Sequence, residues 1–398
     1  MNQKRTKHSL NLICLESIIT AGLLAAPIMT PFYQSIGMNQ EQIALGQAIF
    51  TIVALLLNLP TGWIADKFSR KWANVIGDFG CAVTLLFYSQ VQNFAGVVAC
   101  EIAFGIFLSL SQGVDSALIK HFSGKLCKDD SLFKRKTAKV ASWQCISTLI
   151  CTLLASPIGA ISFRLAIGLS SVTVFIGAIL SLFIVDDSEK LQTEYKNPFK
   201  DMYRVAKQSM QNAKLRNRIF AFAIAREMTH GIIWCFTPIL LAAGVPLAYI
   251  SLGWAVNYLG SFIGSRIAIR YTTKLSDAKL FGIPLVAMAI SMTIMSTGIN
   301  PVTIVFYIIM GLVLGWTGAT MMPMVQNHAK ASEQTTVCSF AKVVAQLLYA
   351  VAVWVIGWAA DIRLEYAALA TLIIFLPLGL IVLLKIRREQ WRLKSSDR

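Results

Sequence analysis

The sequence predicts an all-helical protein that spans a membrane, and three observations predict it. Of the 398 residues, 56% are apolar and only 14% are charged, whereas about 25% of the residues of a typical soluble domain are charged. The mean hydropathy is +0.62. The apolar residues also form successive runs near the ~20 residues that a helix needs to cross a bilayer. These features exclude an ordinary soluble enzyme.

The apolar runs predict twelve transmembrane helices, whose ends are set by the neighbouring polar residues. The predicted spans are 9–33, 40–66, 72–91, 94–119, 140–161, 164–185, 217–241, 247–270, 279–298, 301–326, 337–360 and 367–384. Each has about the length that a tilted helix needs. Because these spans take up most of the chain, no large soluble domain is expected.

The basic residues predict how the chain is oriented. Of the 36 Lys and Arg, 31 lie in alternate gaps between the predicted spans or at the edges of those gaps, termini included and Arg218 counted with the central gap, and the opposite set contains only Arg164 and Arg363. Short cytoplasmic loops retain positive charge, so both termini are predicted to be cytoplasmic. The same pattern explains the formal net charge of +16. A nucleic-acid partner is therefore not expected, because it would need a basic patch on a soluble fold.

The longest polar segment divides the chain near its middle. We predict an N-terminal six-helix bundle at 1–189, a cytoplasmic central loop at 190–215 and a C-terminal six-helix bundle at 216–398. The loop contains an amphipathic piece at 200–214 that would lie along the cytoplasmic membrane surface. Two such bundles suggest a midplane cavity between them, with each bundle built from inverted three-helix repeats. A twelve-helix protein without repeats is the alternative.

The strongest motif, GWIADKFSRK at 62–71, lies between the second and third predicted spans. Gly62 allows two helices to approach closely, and Asp66 ends its helix beside Arg70 and Lys71. The segment resembles the loop signature of the major facilitator superfamily, G-x-x-x-D-R-x-G-R-K/R, with its first arginine and second glycine replaced. The resemblance implies the two-bundle fold of that family and a gating role for Gly62, Asp66, Arg70 and Lys71. A plain basic loop is the alternative.

Two further stretches, GVDSALI at 113–119 and TTVCSF at 335–340, are similar to sequences of small-molecule exporters of this superfamily. The antiporter motif G-P-x-x-G-G is only partly kept at 156–160. The resemblance implies alternating access and proton-coupled export of a small molecule, such as a drug-like compound or a siderophore. Import of a small organic anion or nutrient by proton symport remains open, as does a non-transporting sensor or scaffold. No phosphate-binding Gly-rich loop is present, so ATP hydrolysis is not expected.

Ionisable residues inside predicted spans are costly and usually face a cavity or a partner. Glu16, Glu101 and Glu227 are therefore candidates for carrying the coupled proton, although a structural hydrogen bond would also explain Glu16. Asp115, near the cytoplasmic end of its span, is interpreted as a structural or gating group. Glu101 and Asp115 are fourteen residues apart in the sequence, which is about 21 Å along a helix, so they cannot pair directly.

The seventh predicted span supplies the candidate substrate residues. On a continuous helix, Glu227, His230 and Trp234 share one face, with Arg226 beside His230. Arg226 and His230 could bind an anionic or polar substrate while Glu227 neutralises them. An internal salt bridge between Arg226 and Glu227 is the alternative.

Trp143, Trp254 and Tyr258 are deep enough in their spans to line a cavity, although packing would also explain them. The eight cysteines and four histidines show no metal-ligand spacing. No metal and no cofactor are expected. The expected partners are a small-molecule substrate, protons and the lipid bilayer, for a monomer in the cytoplasmic (inner) membrane of a bacterium.

Overall fold

A computed structural model describes residues 3–67, 69–112, 114–127, 131–185, 198–272, 274–300, 304–330 and 333–396. In these ranges the chain is helical and contains no strand. The predicted all-helical class is confirmed.

The helices are numbered in chain order. Those of the first half are α1 (Gln3–Thr20), α2 (Met29–Ser35), α3 (Gln40–Lys67), α4 (Arg70–Tyr88), α5 (Phe94–Ser111), α6 (Val114–Leu126), α7 (Ser131–Ile161) and α8 (Phe163–Leu182). Those of the second half are α9 (Pro198–Gln211), α10 (Ala213–His230), α11 (Phe236–Ala242), α12 (Ile250–Tyr271), α13 (Asp277–Thr297), α14 (Ile304–Gln326), α15 (Gln334–Ile362) and α16 (Tyr366–Ser396).

The chain forms two compact units that exchange short segments of sequence. The first unit comprises 1–38, 49–193 and 246–252, and the second comprises 39–48, 194–245 and 253–398. The first turns of α3 therefore belong to the second unit, while the rest of α3 belongs to the first. The start of α12 is exchanged in the opposite sense.

In the first unit, α4 is the central helix. It packs against α5 and α8, and α1 packs against α6, α7 and α8. Gly77 and Gly80 of α4 lie where a Cβ atom would meet Ser111 or Phe107 of α5. The two glycines allow α4 and α5 to approach closely. Asp78, which lies between Gly77 and Gly80 in the sequence of α4, is buried inside the unit.

In the second unit, α10 takes the central place. It packs against α14, α15 and α16, and α13 packs against α14 and α16. Ala221, Ala223 and Ala225 of α10 are all fully buried. These alternate positions lie on different sides of the helix, so their burial shows that neighbours surround α10. An amphipathic surface helix would bury one face only.

Nine segments within the described residues are long and apolar enough to cross a membrane. Large apolar side chains also remain exposed on the helices, among them Leu56, Phe87, Ile161 and Val351. Such a surface is unfavourable in water and suits a lipid environment. α1, α4 and α12 are not among the nine segments. The count of twelve spans and the cytoplasmic location of the termini therefore stay predictions.

Three predicted spans, 9–33, 94–119 and 217–241, are interrupted rather than continuous. The first is broken between α1 and α2, where Pro27 lacks a backbone donor. In the second, α5 ends at Ser111 before α6 begins. In the third, α10 ends at His230, and Gly231 follows it. An apolar run indicates that a segment is buried, but it does not show where the backbone leaves the helix.

The amphipathic piece predicted at 200–214 forms α9, so its helical character is confirmed. α9 packs against α10 and α15, and Val205 and Ser209 are buried. This face of α9 therefore contacts protein, whereas the sequence predicted that the helix lies along the membrane surface.

Ser69 explains how the 62–71 segment makes its turn without the second glycine of the signature. Its backbone is extended, with φ −169°, and its Oγ accepts a hydrogen bond from the Trp72 N–H at 3.3 Å. Ser69 is thus the N-cap of α4. Since any residue adopts this φ, the turn does not require glycine.

α12 and α14 pack backbone against backbone in the second unit. A Cβ atom on Gly311 would meet the carbonyl oxygen of Asn257, and one on Gly315 would meet that of Ser261. Gly318, one turn further along α14, has open space around its Cα. The two helices can therefore be this close only because Gly311 and Gly315 lack side chains.

We expect Gly315→Ala to lower the free energy of unfolding by about 1–3 kcal/mol, because a rigid backbone must move away from the added methyl group. Gly318→Ala is the matched control, since the same change meets nothing and improves helix propensity by up to about 1 kcal/mol. Thermal unfolding of the purified variants in detergent checks both. Equal unfolding temperatures for the two variants would contradict the packing described.

Candidate functional site

Three carboxyl groups line one cavity in the first unit. Glu16 of α1, Asp78 of α4 and Asp115 of α6 face a space of about 270 Å³. The exposed fraction is 2% for Glu16 and 6% for Asp78. Other lining residues include Ser17, Thr20, Phe104, Leu108, Gln112, Gln144 and Val174. None of the described lining residues is basic, so the cavity is acidic as a whole.

The carboxyl groups of Glu16 and Asp78 are neighbours on the cavity wall and interact electrostatically. An ionised carboxylate has no proton to donate, so a hydrogen bond between two carboxyl groups requires one of them to be protonated. The pair is therefore a candidate for holding a proton. Asp115 adds a third acidic group that interacts with both.

Neighbouring polar side chains fix the orientation of these carboxyl groups. Asn74 donates from Nδ2 to Asp78 Oδ2 at 3.2 Å and to Ser181 Oγ at 3.0 Å. Ser17 Oγ lies 3.0 Å from Asp115 Oδ2 and 3.4 Å from Glu16 Oε2. A hydroxyl carries a single proton, so Ser17 donates to only one of these carboxyl groups at a time. It connects them and can change partner when a proton arrives or leaves.

Two features of this cavity differ from the sequence analysis. Asp78 was not among the predicted residues, although it is an ionisable residue inside the span predicted at 72–91, the same signal that singled out Glu16. Asp115 was interpreted as a structural or gating group, and the structure places its side chain on the cavity wall. Because α6 is a separate helix that begins after the end of α5, the distance calculated along one continuous helix from Glu101 does not determine the position of Asp115.

Glu101 occupies a different buried site in the first unit. Tyr33 donates from its hydroxyl to Glu101 Oε1 at 3.2 Å, and the Tyr88 hydroxyl lies near the same carboxyl group. The two tyrosine oxygens are 3.5 Å apart. Glu101 is not among the residues that line the acidic cavity. Its contacts are those of a carboxyl group that ties α5 to α2 and α4.

The gating motif is only partly covered by the described residues. Gly62 and Asp66 lie in α3, and their side chains are outside the described part of the chain. Arg70 and Lys71 lie in the first turn of α4. Lys71 Nζ is 5.5 Å from the centre of the Trp72 ring, a cation–π distance.

In the second unit, the predicted Arg226–Glu227 ion pair is present. Arg226 Nε is 3.3 Å from Glu227 Oε1, with 38% of the Arg226 side chain exposed and 3% of the Glu227 side chain. His230 Nδ1 is 2.8 Å from the carbonyl oxygen of Arg226. A carbonyl only accepts, so Nδ1 carries a proton and Nε2 is left for another partner. The cationic cluster expected from the sequence is therefore neutralised by Glu227.

Trp234 lies beyond the end of the helix that carries Glu227 and His230. α10 ends at His230, and Trp234 lies in the 3₁₀ turn Ile233–Cys235. Its Nε1 donates to the Tyr349 hydroxyl at 3.0 Å. The helical spacing that placed it beside His230 no longer applies once the helix has ended.

A second, much smaller cavity lies in this unit beside His230. It measures about 20 Å³, is lined by Thr229, His230, Phe236, Trp254, Asn257 and Met310 among others, and has room for one water molecule. Trp254 donates from Nε1 to Thr237 Oγ1 at 3.2 Å and lies 6.4 Å from the Tyr258 ring. Trp143 of α7, in the first unit, is 48% exposed. Of the three aromatic candidates, only Trp254 lines this cavity.

A buried ion cluster in the second unit was missed by the sequence analysis. Arg218 of α10 is 1% exposed, and its guanidinium pairs with Asp277 of α13 and Glu389 of α16. His328 Nε2 lies 3.4 Å from Asp277 Oδ2. Arg218 was counted among the basic residues of a cytoplasmic loop, and only the packed helices show that it is enclosed.

The family model described as Major Facilitator Superfamily matches residues 13–353. The chain belongs to the major facilitator superfamily. It is thus a multi-pass membrane protein of a transporter family and is not an enzyme. The resemblance inferred from residues 62–71 is confirmed for the superfamily. The match does not confirm a particular exporter subtype.

Individual relatives in the superfamily are distant. The chain is 28% identical over 100 residues to an uncharacterized MFS-type transporter, MJ1560, of Methanocaldococcus jannaschii, a match that spans 25% of this chain and only 26% of that protein. The crystal structure of a point variant of the nucleoside transporter NupG matches with a TM-score of 0.79 at 12% identity, over 96% of this chain and 99% of that chain. The crystal structure of a bacterial homologue of the human lysosomal transporter Spinster matches with a TM-score of 0.75 at 10% identity, over 96% of each chain. These structures are similar in fold.

No group of three or more His, Cys, Asp or Glu side chains that could hold a metal ion is found among the residues that the structure describes.

Proposed function

We propose that the protein is a secondary active transporter that works by alternating access and exports a small molecule in exchange for protons. The observation that carries the proposal is the pair of buried, neighbouring carboxyl groups of Glu16 and Asp78 on the wall of the acidic cavity. A buried carboxyl pair that holds a proton in one conformation can release it when the cavity opens to another solution. This supports proton coupling at Glu16 and Asp78 rather than at Glu101.

The acidic cavity also bears on the charge of the substrate. Its described lining contains three carboxyl groups and no Lys or Arg, while Arg226 is paired with Glu227. A cationic or hydrogen-bonding compound would be attracted to such a cavity, and an anionic siderophore would be repelled. We therefore favour a basic, drug-like molecule as substrate. Export as the direction rests on the resemblance of residues 113–119 and 335–340 to exporter sequences.

The test compares bacterial cells that lack and overexpress the protein. Small molecules inside and outside the cells, together with a panel of cationic and anionic dyes, are profiled with and without a proton uncoupler. We expect a cationic compound to leave the cells only when the protein and the proton gradient are both present. The inner membrane location is checked by membrane fractionation of the same cells.

Other outcomes would assign the protein differently. Uptake of a compound, driven by the gradient, would support the proton-coupled importer of an organic anion or nutrient. Efflux that persists with the uncoupler would overturn proton coupling. No change in either pool across the panel would favour a non-transporting sensor or scaffold with the same fold.

A further inference from the structure

The first turns of α3 and the last turns of α15 make an unusually close contact within the second unit. Ala44 and Ala48 of α3 pack against Ala350 and Val353 of α15. A Cβ atom on Gly357 would meet the Cβ of Ala44 and the carbonyl oxygen of Gln40. We call these residues, with Gln40, Glu41, Trp354 and Asp361, the α3–α15 contact. Its small residues allow the two helices to meet at backbone distance.

Asp361 closes this contact with two charge-assisted hydrogen bonds. Its Oδ1 accepts from the backbone N–H of Gln40 at 2.7 Å, and its Oδ2 accepts from that of Glu41 at 2.8 Å. These N–H groups are the unpaired donors at the start of α3, where the helix dipole also favours a negative charge. Asp361, 321 residues away from Gln40 in sequence, thus provides the capping interaction that a neighbouring residue usually provides.

The contact also contains an element that destabilises it. The side chain of Gln40 is buried, and neither its Oε1 nor its Nε2 has a hydrogen-bond partner in the described structure. A buried amide without partners is unfavourable, and it regains hydrogen bonds when it is released to water. The α3–α15 contact therefore combines the two charge-assisted hydrogen bonds of Asp361, which hold it closed, with a buried amide that favours its opening.

The position of the contact in the chain gives it a consequence for movement. Residues 39–48 belong to the second unit, whereas 49–67, the remainder of α3, belong to the first. Any separation of the first turns of α3 from α15 must break both bonds to Asp361. The same separation frees the amide of Gln40.

We propose that Asp361 and Gln40 set how often the first turns of α3 separate from α15, with Asp361 favouring the closed contact and Gln40 favouring its opening. The inference rests on the proposed alternating access, for which this separation would be one step. Neither residue was singled out by the sequence, because their partners are defined only by the packing of α3 on α15.

The test measures opening directly and needs neither a substrate nor a proton gradient. Ala48→Cys places a thiol in the closed contact, and its rate of labelling by N-ethylmaleimide is followed in lipid nanodiscs by mass spectrometry of the peptide that contains residue 48. We expect Asp361→Asn to raise this rate about fivefold, because the cap loses its charge. Gln40→Met, of similar volume, should lower the rate by a similar factor of about five.

Two further variants serve as controls. Glu365→Gln removes a charge near the same end of α15, where Glu365 pairs with Arg363 at 3.7 Å, and it should leave the rate unchanged. Gly357→Ala should raise the rate, because the methyl group forces the helices apart. Size-exclusion profiles establish that each variant is folded.

Unchanged rates in both Asp361→Asn and Gln40→Met, or shifts in the same direction, would overturn the inference. If the rates change as expected but the cells show no transport, the proposed function fails while the balance between Asp361 and Gln40 stands. If transport is coupled to protons but the rates do not respond, the inference fails and the proposed function stands.

Discussion

Asp78→Asn is expected to reduce proton-driven transport to the level of cells without the protein. An amide cannot bind or release the proton that the proposed function assigns to the Glu16–Asp78 pair in the cavity. Glu16→Gln should have the same effect, and the double variant should be no worse than either single one, because the two groups act as a unit. The measurement is uncoupler-sensitive efflux of the compound that the profiling identifies.

Two comparisons separate loss of coupling from loss of folding. Membrane vesicles with Asp78→Asn should still exchange labelled for unlabelled substrate when no gradient is applied, because the cavity keeps its shape. Glu101→Gln is the matched control, since Glu101 is an equally buried acid outside the cavity and a glutamine oxygen still accepts from Tyr33. Uncoupler-sensitive efflux that survives in both Asp78→Asn and Glu16→Gln would remove the assignment of the proton to this pair.

Arg218→Met is expected to lower the free energy of unfolding by about 3–5 kcal/mol, the usual cost of removing one partner from a buried ion pair. Arg218 is the cation that both Asp277 and Glu389 contact, so its loss leaves two carboxylates without it among α10, α13 and α16. Thermal unfolding of the purified protein in detergent measures the effect.

The controls for this prediction use the same helix and the same partners. Arg216→Met should change stability by less than about 0.5 kcal/mol, because Arg216 is only half-buried and bonds a nearby carbonyl oxygen, that of Met210. Replacing Asp277 by Asn and Glu389 by Gln in the Arg218→Met background should restore much of the lost stability. An Arg218→Met protein as stable as the parent would show that the cluster contributes little.

Several features of the molecule could be predicted from the sequence because they depend on composition and local pattern. The small number of charged residues and the long apolar runs determined an all-helical membrane protein. The segment at 62–71 carried enough of a family signature to indicate the superfamily. The ion pair of Arg226 with Glu227 was one of the alternatives that the sequence left open for Arg226, beside a substrate site and a pair with an acid from another helix.

The candidate site was only half predictable, and the reason differs from residue to residue. Glu16 stood out as a charge inside an apolar run, and Asp78 carried the same signal. That these two residues meet each other, while Glu101 meets Tyr33 and Tyr88, follows from which faces of α1, α4 and α5 are packed together. No spacing along one chain segment contains that information.

The sequence by itself determined what surrounds this protein and which family it belongs to, since hydropathy and signature motifs are local properties. Only the tertiary structure decided which polar groups share a site. α1, α5 and α10 end at Thr20, Ser111 and His230, inside spans that the sequence predicted as continuous helices, so spacing along one helix does not fix positions beyond these ends. The bonds of Asp361 to the start of α3 join residues more than 300 positions apart, because burial requires each polar group to find a partner wherever the packing provides one.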